Sequence, residues 1–169
     1  MSADELLDED AFNPKKLFNE EEYSTLIINR EGFSKQENNL ADLVESLLES
    51  KNTRAEDEAI FTRLKELNAQ DTLVKAIAAT SHPDFKIKLL AACWECGLEF
   101  AAHFMFFIPM VCDANFQIAM EALTVIEHEE GAIAKEAVQE ALSYTQKHPS
   151  PHVALQEGLT NHLHLLRKA

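Results

Sequence analysis

The sequence predicts an all-α protein made of antiparallel helix hairpins with short loops, and three observations predict it. Apolar residues recur at i, i+3 and i+4 along most of the chain from Leu40 onward. Only four glycines and five prolines occur in 169 residues, too few for the many tight turns of a sandwich or barrel. In the stretch Leu98–Cys112, LEFAAHFMFFIPMVC, only Glu99 and His103 are strongly polar. A helix apolar on every side must be covered on every side, so this one is expected at the centre with other helices around it. It is shorter than the roughly 18–20 apolar residues that span a bilayer, which points to the core of a soluble domain. With 46% hydrophobic content the chain can bury one good core.

Residues 1–36 hold nine carboxylates against four bases, with scattered apolar residues such as Phe12, Phe18 and Leu26. Ser2 with Glu5, and Asn19 with Glu22, have capping-box spacing. The weak periodicity predicts an acidic N-terminal segment, loosely attached or partly disordered, preceding a helical domain over 37–169. Leu40, Leu43, Val44, Leu47 and Leu48 define a first helix over about 38–50. Thr53 and Glu56 make a capping box for a second, whose stripe Ala59, Ile60, Leu64 and Leu67 runs to about Asn68. Asp71 is the expected cap of a third, carrying Leu73, Val74, Ile77 and Ala78. Pro83 stops it near Ser81, because proline has no amide hydrogen and restricts the residue before it.

Asp84 is expected to open a fourth helix that ends at Gly97, a favourable C-terminal cap. The central stretch follows, with Pro109 kinking or tightening its last turn. Asp113 and Asn115 are cap candidates for a sixth helix bearing Phe116, Ile118, Ala122, Val125 and Ile126 and ending near Gly131. The seventh carries Ile133, Ala137, Val138, Ala141 and Leu142. Ser150 followed by Pro151 marks the start of the last, since proline at the first helical position loses no hydrogen bond. Its stripe is Leu155, Leu159, Leu163 and Leu166.

The start, MSADELLDED, has neither a basic nor an apolar leader region, so the protein is expected to be soluble and cytoplasmic. Cys93, Cys96 and Cys112 are odd in number and sit in apolar sequence, which suits reduced buried thiols better than a disulfide framework. A formal net charge of −14 repels phosphate backbones and anionic lipid, which argues against nucleic-acid and membrane partners. Basic proteins and neutral apolar surfaces fit better.

Laying DFKIKLLAACWE (84–95) over NFQIAMEALTVI (115–126) aligns Asp with Asn, Phe with Phe, Ile with Ile and Ala with Ala, at an offset of 31 residues. Periods of that order mark arrays of stacked helical hairpins. Residues 73–97 and 106–127 resemble two successive units of the HEAT and armadillo-like repeats. Ile87 and Ile118 match that pattern's valine position, Ala91 and Ala122 its alanine position, and Pro109 its first-helix proline. Lys88 stands where the family often has arginine, whereas Ala119 departs from it. The resemblance implies a right-handed α-α superhelix of about four hairpins and a role in protein–protein binding.

Motifs for chemistry are weak. Cys93-x-x-Cys96 has metal-site spacing but no second ligand pair at a matching distance, and it lies at the end of a helix, where the dipole does not activate a thiol. His148 with His152, and His162 with His164, are not spaced to converge on a metal. His128–Glu129 is similar to the His-Glu motifs of HEAT-repeat di-iron hydroxylases, a family that repeats the dipeptide on several helices; here it occurs once. HEAT-like DNA glycosylases require a cationic concave face, and likeness of fold to bilin lyases carries no activity with it. No phosphate loop or nucleophile elbow is present. No catalytic residue, metal ligand or cofactor is assigned.

The sequence does offer a second apolar stripe. On the fourth helix Ile87, Ala91 and Trp94 are expected to face the core, with Phe85, Leu89, Ala92, Cys93 and Cys96 opposite; on the sixth, Ile118, Ala122 and Val125 face the core, with Phe116, Met120, Leu123 and Thr124 opposite. Phe85, Leu89, Phe116 and Met120 are therefore the candidate partner-binding residues, lining an apolar concave face. The expected function is a non-enzymatic scaffold holding a helix or extended segment, and the expected occupants of its face are a protein with basic flanks, a second copy in a homodimer, or the chain's own N-terminal segment through Phe12, Phe18 or Leu26. The alternatives are a metal- or cofactor-dependent HEAT-like enzyme of hydroxylase or lyase type, and a self-associating structural subunit.

Overall fold

The computed structural model describes residues 35–49 and 51–169. The expected capping boxes at Ser2 and Asn19 lie outside the described residues, as does the expected loosely attached segment 1–36 except for Lys35 and Gln36, which begin the first helix. Eight α-helices and two 3-10 turns account for the regular structure among those described. The described residues divide into two compact units, which part between His82 and Pro83.

In the first unit, α1 (Lys35–Leu48) buries Leu40, Val44, Leu47 and Leu48 and packs on α2 (Arg54–Glu66) and α3 (Gln70–Ala79). It begins three residues before the expected start at 38. The Thr53 box forms as expected: Thr53 Oγ1 accepts the Glu56 amide hydrogen at 3.3 Å and Glu56 Oε2 accepts the Thr53 amide hydrogen at 2.6 Å. The Thr53 hydroxyl also donates to Glu56 Oε2 at 2.9 Å, and the backbone bond together with this one holds the Glu56 carboxyl below its ordinary range.

At its other end α2 closes with Asn68 in the left-handed region at φ 52°. The Ala69 amide reaches the Leu64 carbonyl and the Asn68 amide that of Lys65, both at 3.1 Å. This is a Schellman closure with asparagine in the usual glycine place. α3 starts one residue before Asp71, so that carboxylate lies within the first turn and favours the helix through the dipole rather than as a cap.

In the second unit, α4 spans Pro83–Glu95, with Pro83 as the first helical residue and Gly97 at φ 61° just past its end. The expected continuous helix over 98–112 does not form. In its place stand a 3-10 turn at Ala101–His103, a single α turn, α5 (Phe104–Phe107), and a second 3-10 turn at Ile108–Cys112. Pro109 supplies no amide hydrogen to an i−4 carbonyl and sits at the start of that last turn. The stretch is nevertheless the core. Phe100, Phe104, Phe107, Ile108 and Val111 are all buried, and the Phe100 and Phe107 rings meet edge to face at 5.5 Å.

Three helices complete the unit: α6 (Phe116–Glu127), α7 (Lys135–Lys147) and α8 (Val153–Lys168). α6 packs against α4, α5, the second 3-10 turn and α8; α7 packs against α8 and the second 3-10 turn. α6 ends at Glu127 with His128 as its cap, four residues before Gly131, near which the sequence predicts its end. α8 starts at Val153, so Pro151 is not its first residue. Ser150 acts before the helix. Its hydroxyl donates to the Val111 carbonyl at 3.0 Å and accepts the His152 amide hydrogen at 3.1 Å, tying the turn to the core.

Candidate functional site

The four residues of the expected apolar face do not share one exposure. Phe85 is 8% and Leu89 0% exposed, whereas Phe116 is 51% and Met120 38% exposed. On α4 the assignment of faces is reversed: Phe85, Leu89, Ala92, Cys93 and Cys96 are buried, and Ile87, Ala91 and Trp94 are half-buried. On α6 the expected core residues Ile118, Ala122 and Val125 are buried, as is Leu123 from the opposite set. The positions matched across the 31-residue offset thus have different surroundings, Phe85 buried against Phe116 exposed and Ile87 half-buried against Ile118 buried. Phe116 and Met120 remain as the open part of the stripe.

Local chemistry sets Phe116 in place. Asp113 Oδ1 accepts the Asn115 amide hydrogen at 2.8 Å, and Asn115 Oδ1 accepts those of Gln117 at 3.0 Å and Ile118 at 3.3 Å. That cap fixes where α6 begins, and Phe116 becomes its first residue. The His152 ring lies edge to face with Phe116 at 5.2 Å, and its Nε2–H donates to the Asp113 carbonyl at 3.2 Å. Met120 follows one turn along, so the two side chains are neighbours on the helix surface. Thr124, next in line, turns its hydroxyl back to the Met120 carbonyl at 2.9 Å, and exposed Glu127 ends the strip.

Both margins of the strip are built. On one side Trp94 of α4 donates its Nε1–H to Glu121 Oε2 at 2.8 Å and stacks against His128 at 5.3 Å. On the other, α8 comes close at Gly158, where an added Cβ would stand 3.3 Å from Leu123 Cδ2. Phe116 meets His152 and Leu123 meets Gly158, so α6 and α8 run in the same direction.

The remaining chemical candidates have structural roles. Glu129 receives the Phe100 amide hydrogen on Oε2 and the Gly131 amide hydrogen on Oε1, the latter at 2.6 Å. It clamps the turn after α6 to the segment before the first 3-10 turn. His128 donates Nδ1–H to the Thr124 carbonyl at 2.9 Å. Sequence reading missed the clamp because its partners are backbone amides, one of them 29 residues away. Burial pushes the Cys93 thiol well above its ordinary range, aided by Cys96, and pushes Cys112 up as well; Cys112 also donates to the His148 carbonyl at 3.1 Å. Among the described residues no three His, Cys, Asp or Glu side chains are grouped to hold a metal ion, and no helix is long and apolar enough to cross a membrane.

No family model, curated protein or solved structure matches this chain.

Proposed function

We propose that this chain is a non-enzymatic protein–protein interaction module, a short HEAT-like α-α superhelix acting in the cytoplasm, which receives a segment of another protein on the exposed strip of α6. The observation that carries the reading is the exposure of Phe116 and Met120 side by side on a helix whose other face is fully packed. Isolated surface apolar residues need no explanation, but an aromatic fixed by a helix cap and an edge-on histidine, with a methionine one turn along, forms an adaptable apolar contact. Parallel α6 and α8, with α7 packed against α8 and the 108–112 turn packed against both, are consistent with successive second helices of a HEAT-like array.

A peptide-display selection tests the reading. Wild-type protein should enrich peptides that no longer bind the Phe116→Ser/Met120→Ser variant, while that variant keeps its helicity and melting temperature. Enriched peptides that bind both proteins equally, or no enrichment at all, would contradict it.

A further inference from the structure

The α6 strip is apolar in its first half and anionic around it. Residues 113–134 contain five carboxylates, Asp113, Glu121, Glu127, Glu129 and Glu130, and neither lysine nor arginine. Glu121 and Glu129 are engaged by Trp94 and by backbone amides. Glu127 lies on the same line of α6 as Phe116 and Met120, and Glu157 precedes Gly158, the residue that brings α8 against α6. Both are exposed, and neither forms an ion pair among the described residues. From Phe116 to Glu127 the strip is about 16 Å long, three turns of helix.

We infer that the occupant is an amphipathic helix of a different protein, whose apolar side sits on Phe116 and Met120 and whose flanks carry lysine or arginine facing Glu127 and Glu157. The inference rests on the docking reading above. Charge complementarity selects this partner over a second copy: pairing α6 with itself sets carboxylates against carboxylates with no cation on either helix. Attraction across such a surface acts on encounter and fades with salt. A helix fits because residues at i and i+4 of α6 present two adjacent apolar anchors, which a partner meets with its own i, i+3 and i+4 residues.

Two synthetic 16-residue helical peptides test the inference, alike in a leucine-rich apolar face and differing only in lysine or glutamate flanks. Binding to the full chain is read by fluorescence anisotropy, alongside sedimentation of the chain alone. The lysine peptide should bind, and binding should weaken by about threefold or more between 50 and 300 mM salt. Glu127→Gln/Glu157→Gln, a surface change that leaves the fold intact, should weaken it by a similar factor, and Phe116→Ser/Met120→Ser by about tenfold or more. The glutamate peptide should not bind. Equal binding of both peptides, or lysine-peptide binding that survives loss of Phe116 and Met120, would overturn the inference. So would a dimer that dissociates on that double substitution. If neither peptide binds while display-selected ligands still require Phe116 and Met120, the partner class fails and the docking surface stands; if both fail, the docking reading fails with it.

Discussion

At the scale of single residues, the sequence discloses those interactions whose partners lie within a turn. Thr53 with Glu56, and Asn115 as a cap, are legible because the hydroxyl or amide oxygen and its backbone donors are two or three positions apart. Glu129 is not, since its acceptor role joins Phe100 to Gly131 across a distance in sequence that no local pattern marks. Removing it strands two partly buried amide hydrogens, each worth about 1–3 kcal/mol if left unpaired. Glu129→Ala should therefore lower the melting temperature clearly, and a change of less than about 1 °C would show that the clamp contributes nothing. His162 presents the opposite case. Its Nε2 is buried and has no hydrogen-bond partner among the described residues. Replacing the ring by an apolar side chain relieves that desolvation, so His162→Leu should be neutral or stabilising by about 1 kcal/mol in chemical denaturation. A loss of 1 kcal/mol or more would mean that the imidazole is bonded.

At the scale of elements, helices with one apolar stripe are read well from sequence, and those apolar on two sides are not. α1 buries Leu40, Val44, Leu47 and Leu48 of the stripe its spacing announces and half-buries Leu43. α4 carries Phe85 and Leu89 on one side and Ile87, Ala91 and Trp94 on the other, so periodicity cannot rank the faces, and neighbouring packing decides. The 98–112 stretch lacks any polar and apolar alternation, and hydropathy there reports burial without reporting backbone form. Its phenylalanines keep the energetic role expected of a central helix. Truncating a buried phenylalanine typically costs about 3–5 kcal/mol, so Phe107→Ala should give poorly folded protein, and a loss below about 1 kcal/mol would remove this stretch from the core. The turn from α2 to α3 is a second point of leverage. Asn68 tolerates the left-handed region, whereas a β-branched side chain there is strained by about 1–2 kcal/mol. Asn68→Val should lower the denaturation midpoint, and an unchanged midpoint would show that the turn relaxes to another form.

At the scale of the whole molecule, composition identifies the all-α class, because few glycines and prolines leave little besides helices joined by short turns. Which surface is left open depends on packing between distant elements. Of the expected face, Phe85 and Leu89 went to the interior, and Phe116 and Met120 stayed outside. On the proposed function those two residues serve association rather than stability. Exposed substitutions usually change stability by no more than about 0.5 kcal/mol, which in a chain of this size moves the melting temperature by about 2 °C. The most direct measurement is thermal unfolding of Phe116→Ser/Met120→Ser, read together with its affinity for peptides selected by the wild-type protein. Melting should stay within about 2 °C of wild type and affinity should fall by about tenfold or more. A fall in melting of about 8 °C or more with affinity unchanged would contradict the proposed function, showing that the two side chains hold the fold together and bind nothing.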